Sequence, residues 1–276
     1  MEFDRALFGH IGFAFSNAVR SAVMAITFAR FQHVPGNALT RRYFQHIDRF
    51  SASFAFAADV AMLSLGGYLK KKESLSARLG DVLSMLYLAS TVLKQHEDNG
   101  APPEDLPLVE WSCRELLYQA QEQLHGFLRN FPNRPLAALM RVLIFPRGRT
   151  YFAPGDRLGR KVAQLMMDNT PSRARLTRLV YRELQPNNPL GLLQQAMELA
   201  PVVEPIEKQL RVAGVKTGKV TALDLPGQLE QGLALGIIDA QQAETLRQWD
   251  RLTMELINVD EFPPGALESR AGAATH

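Results

Sequence analysis

Apolar residues recur at helical spacing along most of the chain. Leu7, Phe8, Ile11, Phe15, Val19, Ala22 and Ile26 share one stripe, which predicts an amphipathic helix ending before His33-Val34-Pro35-Gly36. A second helix is predicted over 40–69 and a third over 76–96, whose buried face is read from Leu79, Val82, Leu83, Leu86 and Leu93. Between them Gly66 and Gly67 relax the backbone, and Lys70, Lys71 and Lys72 make a basic corner. The acidic, proline-rich stretch 97–107 is the clearest loop. A fourth helix follows, with Cys113, Leu116, Leu117, Ala120, Leu124, Phe127 and Leu128 on one stripe. Asn130 to Pro135 predicts a tight turn, and Leu136, Leu139, Met140 and Leu143 begin a helix that Phe145-Pro146 ends.

Beyond this the elements shorten. Thr170-Pro171 and Asn188-Pro189 each pair an N-cap with proline at the first helical position. Asp239 with Gln242 predicts a capping box opening a last helix, in which Leu246, Trp249 and Leu252 or Thr253 precede Ile257. No alternating strand pattern and no internal repeat is present. The fold class is therefore all-α, an amphipathic helical bundle of about four long helices followed by shorter ones. The expected domains are a bundle over 1–130, a smaller helical extension over 131–262 that contains a basic segment at 134–182, and a disordered tail over 263–276.

Composition changes this picture in four places. Cys113 is the single cysteine, so no internal disulfide forms and a reducing compartment is expected; its place on an apolar stripe makes it core rather than nucleophile. The run Phe50 to Leu69 carries only Asp59 as a charge, but its small residues and that central carboxylate favour a helix buried on most sides over a membrane span. The N-terminus shows no basic region followed by an apolar run, so no secretory signal is expected. The net charge of +3 conceals a segment, 134–182, with eleven Arg and Lys against Asp156 and Asp168, a balance of +9. The rest holds 20 cations and 26 anions, a balance of −6. Such a basic middle suits an anionic partner, an interdomain contact or merely solvated helix faces.

Common catalytic signatures fail one by one. His10, His33, His46, His96, His125 and His276 include no pair three or four apart, so no helix offers a two-histidine metal face. The segment 213–220 imitates a phosphate loop but has Ala213 and Val220 where glycine and Ser/Thr are required. Asp59 is the one isolated acid, either a tuned general base, a cap on a neighbouring helix or a partner of an arginine such as Arg20 or Arg49. Arg147, Arg149, Arg157, Arg160 and Lys161, with Tyr151 and Phe152 to stack, suit nucleic acid. No helix-turn-helix, zinc or RNA-binding strand signature accompanies them, so nucleic acid is not the expected partner. No residue is assigned as catalytic, cofactor-binding or metal-ligating.

Several segments carry a family resemblance. They are FDRALFGHIG (Phe3 to Gly12), TRRYFQHIDRFSA (Thr40 to Ala52), LGGYLKKKESLSARLGDVLSMLYLAS (Leu65 to Ser90), NFPNRP (Asn130 to Pro135), IFPRGR (Ile144 to Arg149), APGDRLGRKVA (Ala153 to Ala163), NNPLGLL (Asn187 to Leu193) and INVDEF (Ile257 to Phe262). In this order they resemble the C-terminal portion of bacterial long-chain fatty acyl-CoA dehydrogenases. The resemblance implies an oxidoreductase of fatty-acid β-oxidation that converts acyl-CoA to trans-2-enoyl-CoA with FAD, a glutamate before a glycine taking the α-proton. No glutamate here precedes a glycine and nothing reads as a β-domain. The expectation is thus a chain downstream of the catalytic and flavin-binding parts, inactive alone and binding no FAD by itself. The N-terminal and β-domains of the dehydrogenase are its expected partners, with homo-oligomerisation in the full enzyme and an anionic membrane surface met through 134–182. The expected location is cytoplasmic, or peripheral on the inner face of the membrane. The alternative is a free-standing helical module that binds a membrane or a protein. Lys70, Lys71, Lys72 and Arg78 form a surface feature without an assigned partner.

Overall fold

A computed structural model describes residues 2–185, 188–214 and 225–257. The helices are α1 (Glu2–Thr27), α2 (Arg41–Leu65), α3 (Glu73–Asp98), α4 (Leu106–Asn130), α5 (Arg134–Ile144), α6 (Asp156–Met167), α7 (Pro171–Leu176), α8 (Pro189–Val212), α9 (Leu225–Ala234) and α10 (Ala240–Ile257). A 3-10 turn at Gly66–Lys71 joins α2 to α3, and no strand occurs among the described residues. The fold is all-α. Two compact units divide after Gln164, within α6. Helix α5 packs on α1 and α4, so it belongs with the long helices before it. The tail 263–276 lies outside the described residues.

In the first unit α3 and α4 form a hairpin, α2 lies against both, and α1 lies on α2. Cys113, Leu117, Ala120, Leu124, Phe127 and Leu128 of α4 are all buried, as their spacing predicts. On α3, Leu79, Val82, Leu86 and Leu93 are buried, but Leu83 is exposed. It follows Val82 by one residue, about 100° round the helix and off the buried stripe. The core closes with Phe50 and Phe56 of α2, and with Met140 and Ile144 of α5. Asn133 caps α5, accepting a hydrogen bond from the Leu136 amide at 3.1 Å. Asn133→Ala is expected to cost about 1 kcal/mol. Urea unfolding would read it as a lower midpoint with an unchanged slope.

Helix α1 inverts its expected face. Its buried residues are Asn17, Ser21, Met24 and Ala25, while Phe8, Phe15, Val19 and Ile26 point outward. The reason lies in α2, which presents Ala52 and Ser53 to this helix. Small residues on both sides allow close approach of the two axes, and aromatic rings would hold them apart. Ser21 Oγ and Ser53 Oγ are 3.1 Å apart, and Asn17 Nδ2 donates to Asp59 Oδ2 at 2.7 Å. The partner of Asp59 is therefore Asn17, and not Arg20 or Arg49.

The continuous helical run Arg41–Lys71 is long and apolar enough to cross a membrane by length and composition. Only 28% of its most apolar window is buried, so the expected burial on most sides is confined to one face. Gln45, Arg49, Phe50, Ser53, Phe56, Ala57 and Ala61 mark that face at helical spacing.

The second unit centres on α8 and α10, with Val203, Ile206 and Leu210 against Leu229, Ile238, Ala243 and Leu246. Its predicted caps form. Thr170 accepts from the Arg173 amide and Asn188 from the Leu190 amide. Asp239 and Gln242 exchange reciprocal bonds of 3.0 and 2.7 Å.

Candidate functional site

Helix α2 carries a polar row inside its apolar sequence: Arg42, Gln45, His46 and Arg49, spaced three, four and seven residues apart on one face. Gln45 fixes the start of the row. Its Nε2 donates to the carbonyls of Arg30 and Gln32, at 3.2 and 3.1 Å, and its Oε1 accepts from Arg42 Nη1. Arg42 Nη2 also donates to the Phe28 carbonyl, at 3.3 Å.

Opposite this row stands the segment after α5. Gln121, fully buried on α4, holds it in place. Its Oε1 accepts from the amides of Thr150 and Tyr151 at 2.8 and 3.0 Å, and its Nε2 donates to the Tyr151 carbonyl at 3.0 Å. Tyr151 is thereby driven against α2, where its ring lies 4.9 Å from Phe50 and 5.1 Å from His46.

Arg49 is the centre of the arrangement, only 1% exposed. Its Nη1 donates to the Tyr151 hydroxyl at 3.0 Å, and its guanidinium lies 4.9 Å from the Phe28 ring and 5.1 Å from the Tyr151 ring. No carboxylate pairs with it among the described residues, and its Nε has no hydrogen-bond partner. Aromatic faces thus take the place of a counterion.

His46 Nδ1 lies 2.8 Å from the Tyr151 oxygen, and its Nε2 is 3.5 Å from Arg42 Nη2. Because Arg42 can only donate, the network assigns the lone pair to Nε2 and the proton to Nδ1. The Tyr151 oxygen then accepts from both Arg49 and His46, which frees its own hydrogen for another acceptor. Burial, followed by the charges of Arg42, Arg49 and Arg30, pushes the His46 imidazole down to about 3. It is neutral at pH 7.

A cleft of about 510 Å³ opens beside this network, lined on its polar side by Arg42, Tyr43, His46, Arg114, Thr150 and Tyr151. Leu39, Leu117 and Phe152 are among its apolar walls. The lining offers neither a carboxylate to abstract a proton nor a thiol. Cys113 is buried and its thiol is pushed up to about 12 by that burial, so it stays protonated core. No group of three or more metal-ligating side chains occurs among the described residues.

Part of the basic segment is engaged within the protein. Arg147 lies 5.3 Å from the Phe28 ring, Arg149 pairs with Glu122 at 3.0 Å, and Arg173 is buried and donates to Gln194. Arg157, Arg160 and Lys161 are exposed on α6. Tyr151 is turned inward and cannot stack on a base, although Phe152 is exposed. Of the phosphate-loop imitation, only Ala213 and Gly214 lie within the described residues.

Gln45, His46 and Gln121 carry no sequence motif, and their roles emerge only from packing. The signal that could have found Gln45 and His46 is the row of polar residues at helical spacing within TRRYFQHIDRF, which the sequence reading did not use. A family model described as acyl-CoA dehydrogenase, C-terminal, bacterial type, matches residues 1–262. No solved structure matches the chain.

Proposed function

The chain belongs to the family of bacterial-type acyl-CoA dehydrogenase C-terminal domains, and from that premise we propose that it packs onto the parts of a dehydrogenase that carry the chemistry. The outward stripe of α1 supports this. Phe8, Phe15, Val19 and Ile26 are 70%, 72%, 46% and 51% exposed, although the helix already packs through its other face. Large apolar side chains aligned on one face mark an interaction surface. The whole enzyme would oxidise fatty acyl-CoA to trans-2-enoyl-CoA in fatty-acid β-oxidation. FAD would accept the hydride and a glutamate outside this chain would take the α-proton. No step of that reaction is assigned to residues of this chain. Its role is assembly, including homo-oligomer formation in the enzyme.

Purified alone, the chain is expected to be colourless and to leave palmitoyl-CoA unoxidised. It is expected to associate with the flavin- and glutamate-bearing part of a bacterial-type acyl-CoA dehydrogenase. Phe15→Asp should weaken that association at least tenfold, roughly 1.4 kcal/mol, with helical content unchanged. A yellow, active preparation, or association indifferent to Phe15→Asp, would sink the proposal.

Docking on an anionic membrane at the cytoplasmic face is a second proposal. Met62, Leu63 and Tyr68 are exposed beside Lys70, Lys71 and Lys72, which sets apolar groups next to cations as an interfacial contact requires. The ion pair of Arg149 with Glu122 and the burial of Arg173 withdraw part of the charge that the 134–182 segment would bring. Cosedimentation with phosphatidylglycerol vesicles should then weaken with salt; binding that salt leaves unchanged would exclude the electrostatic contact.

A further inference from the structure

The cleft beside α2 is rich in donors and poor in acceptors. Arg42, Tyr43, Arg114, Thr150 and Tyr151 are among its lining residues, and no carboxylate lines it. Thr150 Oγ1 is buried without a hydrogen-bond partner. The Tyr151 hydroxyl already accepts twice and has its hydrogen to give. Around these groups the cations outnumber the anions. Arg114 is paired with Glu110 at 2.6 Å and Arg149 with Glu122, but Arg30, Arg42, Arg49 and Arg147 have no carboxylate partner among the described residues.

We propose that this cleft binds an organic phosphate, whose phosphoryl oxygens accept from Arg42, Arg114, Thr150 and Tyr151 and whose apolar or aromatic body lies against Leu39 and Phe152. A phosphate monoester brings three terminal oxygens and about two negative charges, matching donors on several sides and the surplus of positive charge. A carboxylate, with two coplanar oxygens, leaves part of both unmet. Guanidinium groups suit phosphate because their fixed fork donates along two parallel bonds. The neutral state of His46 serves the site twice. It spares the cleft one more buried charge, and its Nδ1 proton commits the Tyr151 hydrogen to the ligand. The volume of about 510 Å³ leaves room for the body as well as the phosphoryl group. The inference rests on this geometry and stands whether or not the chain assembles with a dehydrogenase.

Calorimetric titration of the full chain with inorganic phosphate, AMP, octyl phosphate and octanoate at low salt tests it. Saturable one-to-one binding is expected for at least one organic phosphate, at least tenfold tighter than for inorganic phosphate. A preference for AMP identifies a nucleotide-like ligand, and a preference for octyl phosphate identifies a lipid-like one. Arg42→Gln and Arg114→Gln should each weaken binding tenfold or more while circular dichroism stays unchanged. Arg114 lies half-exposed on the rim, so its variant keeps the test sound if Arg42→Gln disturbs the fold. Lys94→Gln, on the exposed side of α3, should bind as the parent does. Absence of saturable binding at millimolar phosphates, indifference to both arginine variants, or equal affinity for octanoate and octyl phosphate would overturn the proposal.

Discussion

Phe127→Ala is expected to destabilise the first unit by about 4 kcal/mol, the largest single loss foreseen for this chain. Phe127 is completely buried, and its ring lies 5.3 Å from that of Phe131, inside the cluster that α2, α3, α4 and α5 build together. Removing the ring forfeits its transfer out of water and leaves a void that four helices cannot close at once. Domains are commonly stable by about 5–15 kcal/mol, so the loss takes a large share of the total. Leu139→Ala is the comparison, since Leu139 is exposed on α5 and its truncation should cost under roughly 0.5 kcal/mol. Trp111 on α4 and Trp249 on α10 give each unit its own fluorescent reporter. Urea unfolding followed through Trp111 should show the loss, with the Trp249 signal moving less. Equal costs for Phe127→Ala and Leu139→Ala would contradict the core as described.

The second large effect is a dependence of stability on pH through His46. Its folded value lies at about 3 and its ordinary value at 6.5, so the unfolded chain binds this proton more readily than the folded one. Stability is therefore complete above pH 6.5 and declines as pH falls toward 3. One group shifted this far accounts for on the order of 4 kcal/mol across the window, of which about 2 kcal/mol is lost by pH 5. His46→Gln removes the titration, so its stability should fall less than the parent's between pH 7.5 and 5. The difference in slope isolates His46 from the carboxylates, which titrate in both proteins. Parallel pH profiles would show that His46 is as easily protonated in the fold as outside it.

How much of this was legible in the sequence depended on whether one residue's own neighbours decide its environment. The stripe on α4 and the caps at Thr170, Asn188 and Asp239 are local, and the structure reproduces them. Periodicity finds an apolar stripe but does not say what covers it. On α1 the apolar stripe and the buried stripe are opposite faces, because α2 offers Ala52 and Ser53 as the surface to pack on. Asp59 stood out as a lone charge among apolar residues, yet its partner, Asn17, lies 42 residues away. Tyr151 meets His46 across 105 residues and is set there by Gln121, which no spacing rule singles out. Distant pairings of this kind form the candidate site, and its cations Arg42, Arg49 and Arg114 lie outside the basic segment that composition marked.

The contact between α1 and α2 has one more consequence. It is made by serine, alanine, asparagine and one methionine, so it withdraws little apolar area from water. The helix that displays Phe8, Phe15, Val19 and Ile26 is consequently held to the bundle more weakly than α3 is held to α4. Covering that stripe secures the helix and completes the contact in one event. Ordering of α1 and association are then thermodynamically linked, and part of the affinity is spent on ordering. An attachment of this kind releases more readily than its area implies.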